Sequence, residues 1–386
     1  GLLPRRAARG SANNASGLPP IGNQGSEGSC TAWAGAYAVK TYYMKKANPA
    51  LNITQAAHQA SPRFAYNLYN GGDDNGGYGH EPFEIFMRYG CASMTAMPYV
   101  ANQYTTLPRY AQFVEGLHRR TTNYVWLWDW APNASQIAQA KAWLDNGGVA
   151  VVGVYASSTF EDWNASKAPW VGPSCTIDDI DHMVCVCGYG PGWYLIANSW
   201  GTAYGSNGFI YVNASYFEQY ISDFMFPLEG AHDPPAQHAR LIIRHPYRSD
   251  IRTLAFSVNG QRTWNYPPIP KDMPLGTGGF MDDARDNIEV AVDLGVDMWV
   301  QPTVVTATCA DQVSVDSGSI TNFTVFCNGL PYVSPNTPVA IGDNNGTYAH
   351  AAVYVAIPEP GICLVLMALP LLRRINQRQA ARKVCK

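Results

Sequence analysis

The character of the chain changes at Gly147-Gly148, and that change restricts the possible folds more than any other feature. Before it, apolar runs carry helix punctuation. Ser29 stands as an N-cap before a run through Ala32, Trp33, Ala36, Tyr37, Val39 and Tyr43 that closes on Lys45-Lys46. Ser61-Pro62 opens a second segment through Tyr69, Glu81-Pro82 a third closed by Gly90, and Asn133 caps a fourth from Ala134 to Asn146. After Gly148 come Val149 to Tyr155, Met183 to Tyr189, Trp193 to Ala197 and Phe209 to Val212, short β-branched or aromatic runs bounded by Gly, Asn and Pro. Helices first and antiparallel strands second predict an α+β fold of two subdomains.

Beyond Glu229 only strand-like runs recur: Leu241 to Ile243, Thr253 to Val258, Ile288 to Val292, Met298 to Val305, Thr321 to Phe326 and Ala351 to Val355. Their spacing predicts an all-β, sandwich-like accessory domain. The expected divisions are an extended lead-in over 1–20, the α+β domain over 21–229, a Gly/Pro-containing linker over 230–239, the accessory domain over 240–357 and a terminal segment over 358–386.

The chain has 26 basic against 29 acidic residues, a balance that argues against nucleic-acid binding by broad phosphate neutralisation. Six of the basic residues lie between Arg373 and Lys386 with no acid among them, so a mildly acidic body ends in a cationic tail. Nine cysteines are an odd number, which leaves at least one free. No stretch reaches the 18 or so apolar residues of a spanning helix. The start at Gly1, without Met or a hydrophobic signal segment, carries the expectation that the true N-terminus lies upstream.

In Gln24-Gly25-Ser26-Glu27-Gly28-Ser29-Cys30-Thr31-Ala32-Trp33 a cysteine falls on the first helical turn directly after a Gly-rich loop. Unpaired amides and the helix dipole at that end favour thiolate over thiol, and a lowered pKa makes a nucleophile. Any cysteine taken alone is more often a buried small hydrophobe. Downstream, Asp181-His182 begins one strand run and Asn198-Ser199-Trp200-Gly201 ends the next. If those runs form a hairpin, His182 and Asn198 meet at one edge. A nucleophile, a base for its proton and an amide that orients the imidazole are then present together.

These blocks resemble the papain-like cysteine peptidases. The family's Q-G-x-x-G-S-C matches Gln24 to Cys30, its D-H strand matches Asp181-His182, and its N-S-W-G block, continuing to G-x-x-G-Y-I, matches Asn198 to Gly201 and Gly205 to Ile210. Asn75-Gly76-Gly77-Tyr78 resembles the segment forming one cleft wall, and Met97-Pro98-Tyr99 resembles the family's Y-P-Y. The resemblance spans roughly 18 to 229 and implies a papain-like two-subdomain fold. It implies Cys30 as nucleophile paired as thiolate with the imidazolium of His182, Asn198 holding the ring, and Gln24 with the Cys30 N–H as oxyanion hole. Gly76, Gly77, Asp181 and Trp200 are expected to line the substrate side, Trp200 covering the Asn198–His182 hydrogen bond.

Several positions depart from the family pattern. Thr31 follows the nucleophile where Trp is usual, with Trp33 two positions on. Glu27 and Asp74 stand where many members have bridged cysteines, so that bridge is not used. Cys175 resembles a further bridging cysteine with no partner between 201 and 229. Cys185 and Cys187 alternate on one strand face, which reads as core rather than metal site. Cys309 and Cys327 each border a strand run and are expected to be bridged.

Pro358-Glu359-Pro360-Gly361, eleven mostly aliphatic residues from Ile362 to Leu372 and then Arg373-Arg374 resemble a PEP-CTERM sorting signal. That resemblance implies export by a Gram-negative-type bacterium, a membrane sortase acting at Pro358-Glu359-Pro360, and a surface or matrix location with transient inner-membrane anchoring. The resulting expectation is an exported cysteine endopeptidase acting on polypeptides through an acyl-enzyme thioester, with no cofactor. Two alternatives stand beside it: an acyltransferase using the same site, and an inactive peptidase-fold binding module.

Overall fold

A computed structural model describes residues 10–229, 235, 237–245, 251–265, 287–295, 303–311, 317–342 and 348–355. The terminal segment that resembles a sorting signal lies outside the described residues.

Residues 10–229 form two facing halves. The helical half contains α1 (Cys30–Ala32), α2 (Thr41–Ala47), α3 (Pro62–Tyr69), α4 (Glu81–Arg88) and α5 (Tyr110–Leu117). A π-helical stretch, Trp33–Lys40, joins α1 to α2, so the central helix is continuous from Cys30 to Ala47. Local chemistry sets the boundaries. Ser61 caps α3 by accepting the Phe64 N–H, with Pro62 at its first position. Phe64, Ala65, Tyr66 and Tyr69 of α3 are fully buried, as are Phe83 and Phe86 of α4, which packs on it.

The other half is a seven-stranded antiparallel sheet. Its strands are β1 (Ala12–Asn13), β2 (Asn123–Trp126), β3 (Ala150–Val154), β4 (His182–Gly190), β5 (Trp193–Ala197), β6 (Phe209–Asn213) and β7 (Ser222–Leu228), in the order β2-β7-β3-β4-β5-β6, with β1 pairing β4. Helices α6 (Ala134–Asp145), α7 (Ser158–Glu161) and α8 (Ala214–Tyr220) accompany it. Asn133 caps α6 in a capping box with Gln136. Strand β4 is buried along its whole length, with the central helix against one face and aromatic residues such as Phe160, Trp170 and Phe217 in the core of the other. The stretch before Ile21 is stitched to this sheet: Ala12 pairs with Tyr189, and the Asn14 amide donates to the carbonyls of Leu144 and Gly148.

The C-terminal region is two packed sheets. β10 (Gln261–Asn265), β9 (Ile251–Val258), β12 (Thr303–Asp311) and β16 (Tyr348–Val355) form one. β11 (Asn287–Asp293), β8 (Gln237–Arg244), β13 (Gly318–Cys327) and β14 (Leu330–Val333) form the other, with β15 (Val339–Ile341) on β13. Alternating burial along β8 and β16 points one face of each inward, where Phe256 and Phe323 meet across the interior at 6.2 Å. The expected Cys309–Cys327 bridge is corrected: both thiols are free, because Cys309 lies in β12 and Cys327 ends β13 in the opposite sheet. All seven cysteines among the described residues are free.

The two domains share a seam. Tyr110 of α5 stacks on His238 and Phe326, the Arg240 guanidinium lies 4.9 Å over the Tyr110 ring, and Arg120 pairs with Asp293. Nearby, Lys40, 1% exposed on its side chain, donates to both oxygens of Glu229 at 2.7 and 2.8 Å and to Thr121. Lys40→Met is expected to cost about 3 kcal/mol by leaving that carboxylate without its partner. The half-exposed Arg88–Glu84 pair serves as control, since Arg88→Met should change stability by less than about 1 kcal/mol. Thermal unfolding of both variants checks this, and equal midpoints would show that the buried pair contributes nothing special.

Candidate active site

Cys30 occupies the first position of the central helix at 9% exposure, at the floor of a cleft of about 650 Å³ between the two halves. One wall is Gln24 to Gly28 with Asp74 to Gly77, and the other is Ala156, Glu161 and Ile180 to Met183, with Trp200. All eight residues expected to form the site border this cleft except Asn198, which lies just behind His182.

The β4–β5 hairpin explains why His182 and Asn198 meet. Antiparallel pairing of Cys185 with Ala197 brings the start of β4 and the end of β5 to the same edge. There His182 Nε2 lies 2.8 Å from Asn198 Oδ1. The same Oδ1 accepts the Ser199 N–H at 2.8 Å, which fixes the amide's orientation. An oxygen only accepts, so Nε2 carries the imidazole proton and Nδ1 is left as the base. The Trp200 ring stacks on His182 at 4.6 Å and 26°, and Phe160 meets the imidazole edge-on.

Gln24 is held by two bonds. Its Oε1 accepts from Ser199 Oγ at 2.6 Å and its Nε2 donates to the Glu27 carbonyl at 2.9 Å, leaving one N–H of that nitrogen uncommitted. Backbone bonds clamp the two loops together: Gln24 N to Ser199 O at 2.8 Å and Gly201 N to Gly22 O at 2.9 Å. Ser199 thus ties the oxyanion-hole candidate to the residue that orients the base. The N-S-W-G block contained it, but nothing in sequence spacing reveals a contact with Gln24.

The Gly-rich wall is pinned by Asp74. Its Oδ1 accepts from the Gly28 N–H at 2.8 Å and the Tyr66 hydroxyl at 2.6 Å, linking the cleft wall to the nucleophile loop where the missing bridge would be. Gly76 has φ +81°, and a Cβ on Gly77 would approach Tyr69 to 2.4 Å, so both positions require glycine. Asp181 is anchored by the Ala156 N–H on its Oδ1 at 2.8 Å. Thr31 hydrogen-bonds the Tyr69 hydroxyl, while Trp33 packs against Tyr37 and Tyr99, each at 4.8 Å. The altered helix start is therefore filled by different side chains.

Burial pushes the Cys30 thiol up despite the backbone N–H groups of Met183 and Thr31 that favour its thiolate, and burial pushes the His182 imidazole down against the Asn198 bond. Desolvation thus opposes either charge taken alone, while the backbone N–H groups at the sulfur and the Asn198 bond at the imidazole favour them. The Met183 contact places the sulfur beside the start of β4, where His182 is the first residue. Proton transfer from Sγ to the imidazole then generates both charges together, each stabilising the other.

Other cysteines lack this setting. Cys185 and Cys187 are fully buried core residues, and Cys175 Sγ lies 3.9 Å from the Tyr216 hydroxyl. Among the described residues no group of three His, Cys, Asp or Glu side chains could hold a metal ion.

A family model described as papain family cysteine protease matches residues 7–223. The chain belongs to that family. Papain of Carica papaya is 28% identical over 197 residues, 50% of this chain and 51% of papain. Gamete and mating-type specific protein A of Dictyostelium discoideum is 30% identical over 201 residues, 51% of this chain and 40% of that protein. The chain spans about half the length of the curated relatives it matches. Among solved structures, xylellain, a cysteine protease from Xylella fastidiosa, is 21% identical with a TM-score of 0.46, covering 58% of this chain and 87% of that one. Bromelain from Ananas comosus, solved with the E64 inhibitor, is 21% identical with a TM-score of 0.44, covering 57% and 99%. The papain-family match ends before the linker, so the β-rich accessory domain lies beyond it.

Proposed function

We propose that residues 21–229 form a cysteine endopeptidase that hydrolyses peptide bonds in polypeptides. The observation that carries this reading is the joint fixation of the His182 tautomer by Asn198 and of the Gln24 amide by Ser199, around one cleft with Cys30 at its floor. Cys30 Sγ gives its proton to His182 Nδ1 and attacks the scissile carbonyl. The carbonyl oxygen, now anionic, accepts from the free Gln24 N–H and the Cys30 N–H. The imidazolium protonates the leaving amine, a thioester remains, and water activated by the neutral imidazole hydrolyses it. Every proton in the cycle passes through one base.

The test is hydrolysis of a fluorogenic peptide library together with labelling of Cys30 by a thiol-directed epoxide. Labelling without hydrolysis of any peptide would leave a reactive thiol without peptidase function, and neither result would identify a binding module. Gln24→Ala is expected to lower kcat by about 10²-fold to 10³-fold while KM changes little, because its N–H matters only once negative charge has formed on the oxygen. An equal rise in KM with kcat unchanged would place Gln24 in ground-state binding instead.

We further propose that the chain is exported by a Gram-negative-type bacterium through the sequence at Pro358-Glu359-Pro360, where a membrane sortase would act. The mass of the C-terminus recovered from cell-surface fractions tests this, and a chain retained intact in the cytoplasm would refute it.

A further inference from the structure

Tyr99 is not among the residues lining the cleft, yet its hydroxyl touches both segments that supply the oxyanion hole. It donates to the Gln24 carbonyl at 2.6 Å. The hydroxyl of Ser29, the residue directly before Cys30, lies 2.9 Å from it. A phenol has one proton and the shorter bond uses it, so Ser29 Oγ is the donor of the second bond. Ser29 stands at the N-cap of the central helix without a side-chain capping bond, and its hydroxyl serves Tyr99 instead. One phenolic oxygen therefore joins the loop that carries the Gln24 amide to the helix start that carries the Cys30 N–H.

The support is itself fixed. Ser61 Oγ donates to the Met97 carbonyl at 2.6 Å and Arg63 Nη1 to the Pro98 carbonyl at 3.2 Å, both from the start of α3. The Tyr99 ring meets Trp33 of the central helix edge-on at 4.8 Å and 76°. Glu27 also neighbours the hydroxyl, and its Oε2 accepts the Asn102 N–H at 2.8 Å, which ties the chain after Tyr99 to the nucleophile loop. Gln24 and Ser29 are buried, so water does not readily replace a lost phenol between them.

We propose that Tyr99 is a positioning residue for the oxyanion hole, its hydroxyl setting the spacing of two donors that must converge on one oxygen. This rests on the peptidase reading and deepens it. The loop between the donors contains Gly25, at φ +66°, and Gly28, and glycines alone do not hold a spacing. Donors lower the barrier only if they stand in place before the charge forms. Tyr99 meets this need from outside the cleft, through Gln24 on one side and Ser29 on the other.

The experiment uses the full chain. Tyr99→Phe keeps the ring against Trp33 and removes the hydroxyl. Its kcat on a fluorogenic peptide should fall about 10-fold with KM nearly unchanged. Alkylation of Cys30 by iodoacetamide, in which the thiolate displaces iodide and no oxyanion forms, should keep its natural rate and pH dependence. In a Gln24→Ala background the further loss should be about 2-fold or less, because the residue acts through Gln24. Ser29→Ala cuts only the helix side of the link and should show the same split with a loss of about 3-fold, which keeps the proposal testable if Tyr99→Phe does not fold. Unchanged kcat in both variants, an equal fall in alkylation in both, or a full 10-fold loss on top of Gln24→Ala overturns the proposal. A peptide aldehyde, whose carbonyl carbon bonds to Cys30 Sγ and whose oxygen then occupies the hole, separates the two ideas. Weaker aldehyde binding by Tyr99→Phe, with no peptide hydrolysed by the natural chain, would sink only the peptidase reading. Peptide hydrolysis by the natural chain with equal aldehyde binding by the variant would sink the positioning role.

Discussion

Cys30→Ala is expected to reduce peptide hydrolysis by on the order of 10⁵-fold or more while leaving the fold and the unfolding midpoint nearly unchanged. No neighbouring group can take over. Cys91, Cys185 and Cys187, the other thiols of the core that holds Cys30, are fully buried, and burial raises all three well out of the reactive range. Cys175 lies near Tyr216, not at the cleft floor. The loss should appear in kcat, since the side walls that hold a substrate remain. Cys30→Ser should fall nearly as far, because a neutral imidazole is a weak base for an alkanol whose proton is far less acidic than that of a thiol. Retention of more than a percent of the natural rate in Cys30→Ala would mean that another residue is the nucleophile. Circular dichroism on the same samples distinguishes lost chemistry from lost structure.

How much of this was legible beforehand depended on whether a signal was local. Helices α3, α4 and α6 announce themselves through Ser61-Pro62, Glu81-Pro82 and Asn133, side chains that act within one turn of their own position, whereas Ser29 precedes α1 without a side-chain capping bond and its hydroxyl meets that of Tyr99 at 2.9 Å instead. Helix α8 carries an equally local cap, since Asn213 accepts from the N–H groups of Ser215 and Tyr216, yet it begins directly after the Phe209 to Val212 run and no helix was expected there. Strand β7 was missed because Asp223 and Pro227 interrupt its pattern, and its place between β2 and β3 is decided by tertiary pairing. The catalytic candidates were legible because their blocks are contiguous words. The residues that hold them were not: Ser199 meets Gln24 across 175 positions, and Asp74 meets Gly28 across 46. Absence of the bridging cysteines was visible in the sequence, but its replacement by a carboxylate tether was visible only in space. The erroneous Cys309–Cys327 pairing has the same origin, since strand borders say nothing about which sheet each strand joins.

His182→Ala should cost about 10⁴-fold near neutral pH and change the shape of the pH–rate profile as well as its height. In the natural protein the working form holds one proton between Sγ and Nδ1. Adding a proton leaves thiol with imidazolium, which has no base, and removing one leaves thiolate with neutral imidazole, which has no acid for the leaving amine. The profile is therefore a bell whose limbs belong to the pair. The signs follow from burial. His182 is pushed below the ordinary imidazole value of about 6.5, so activity rises through a limb on the acid side of that value. Cys30 is pushed above the ordinary thiol value of about 8.5, so the decline begins on its alkaline side and the plateau spans neutrality. Asn198→Ala removes the bond that raises His182, so the bell should persist at lower height with its acid limb moved further toward acid. Without His182 the bell has no second partner. Only a single limb remains, rising with thiolate formation at high pH. Measuring kcat/KM from pH 4 to 10 for the three proteins with one fluorogenic peptide decides the matter. If the bell survived in His182→Ala, another group would be exchanging the proton with Cys30, and the geometry at the start of β4 would have to be read as structural support alone.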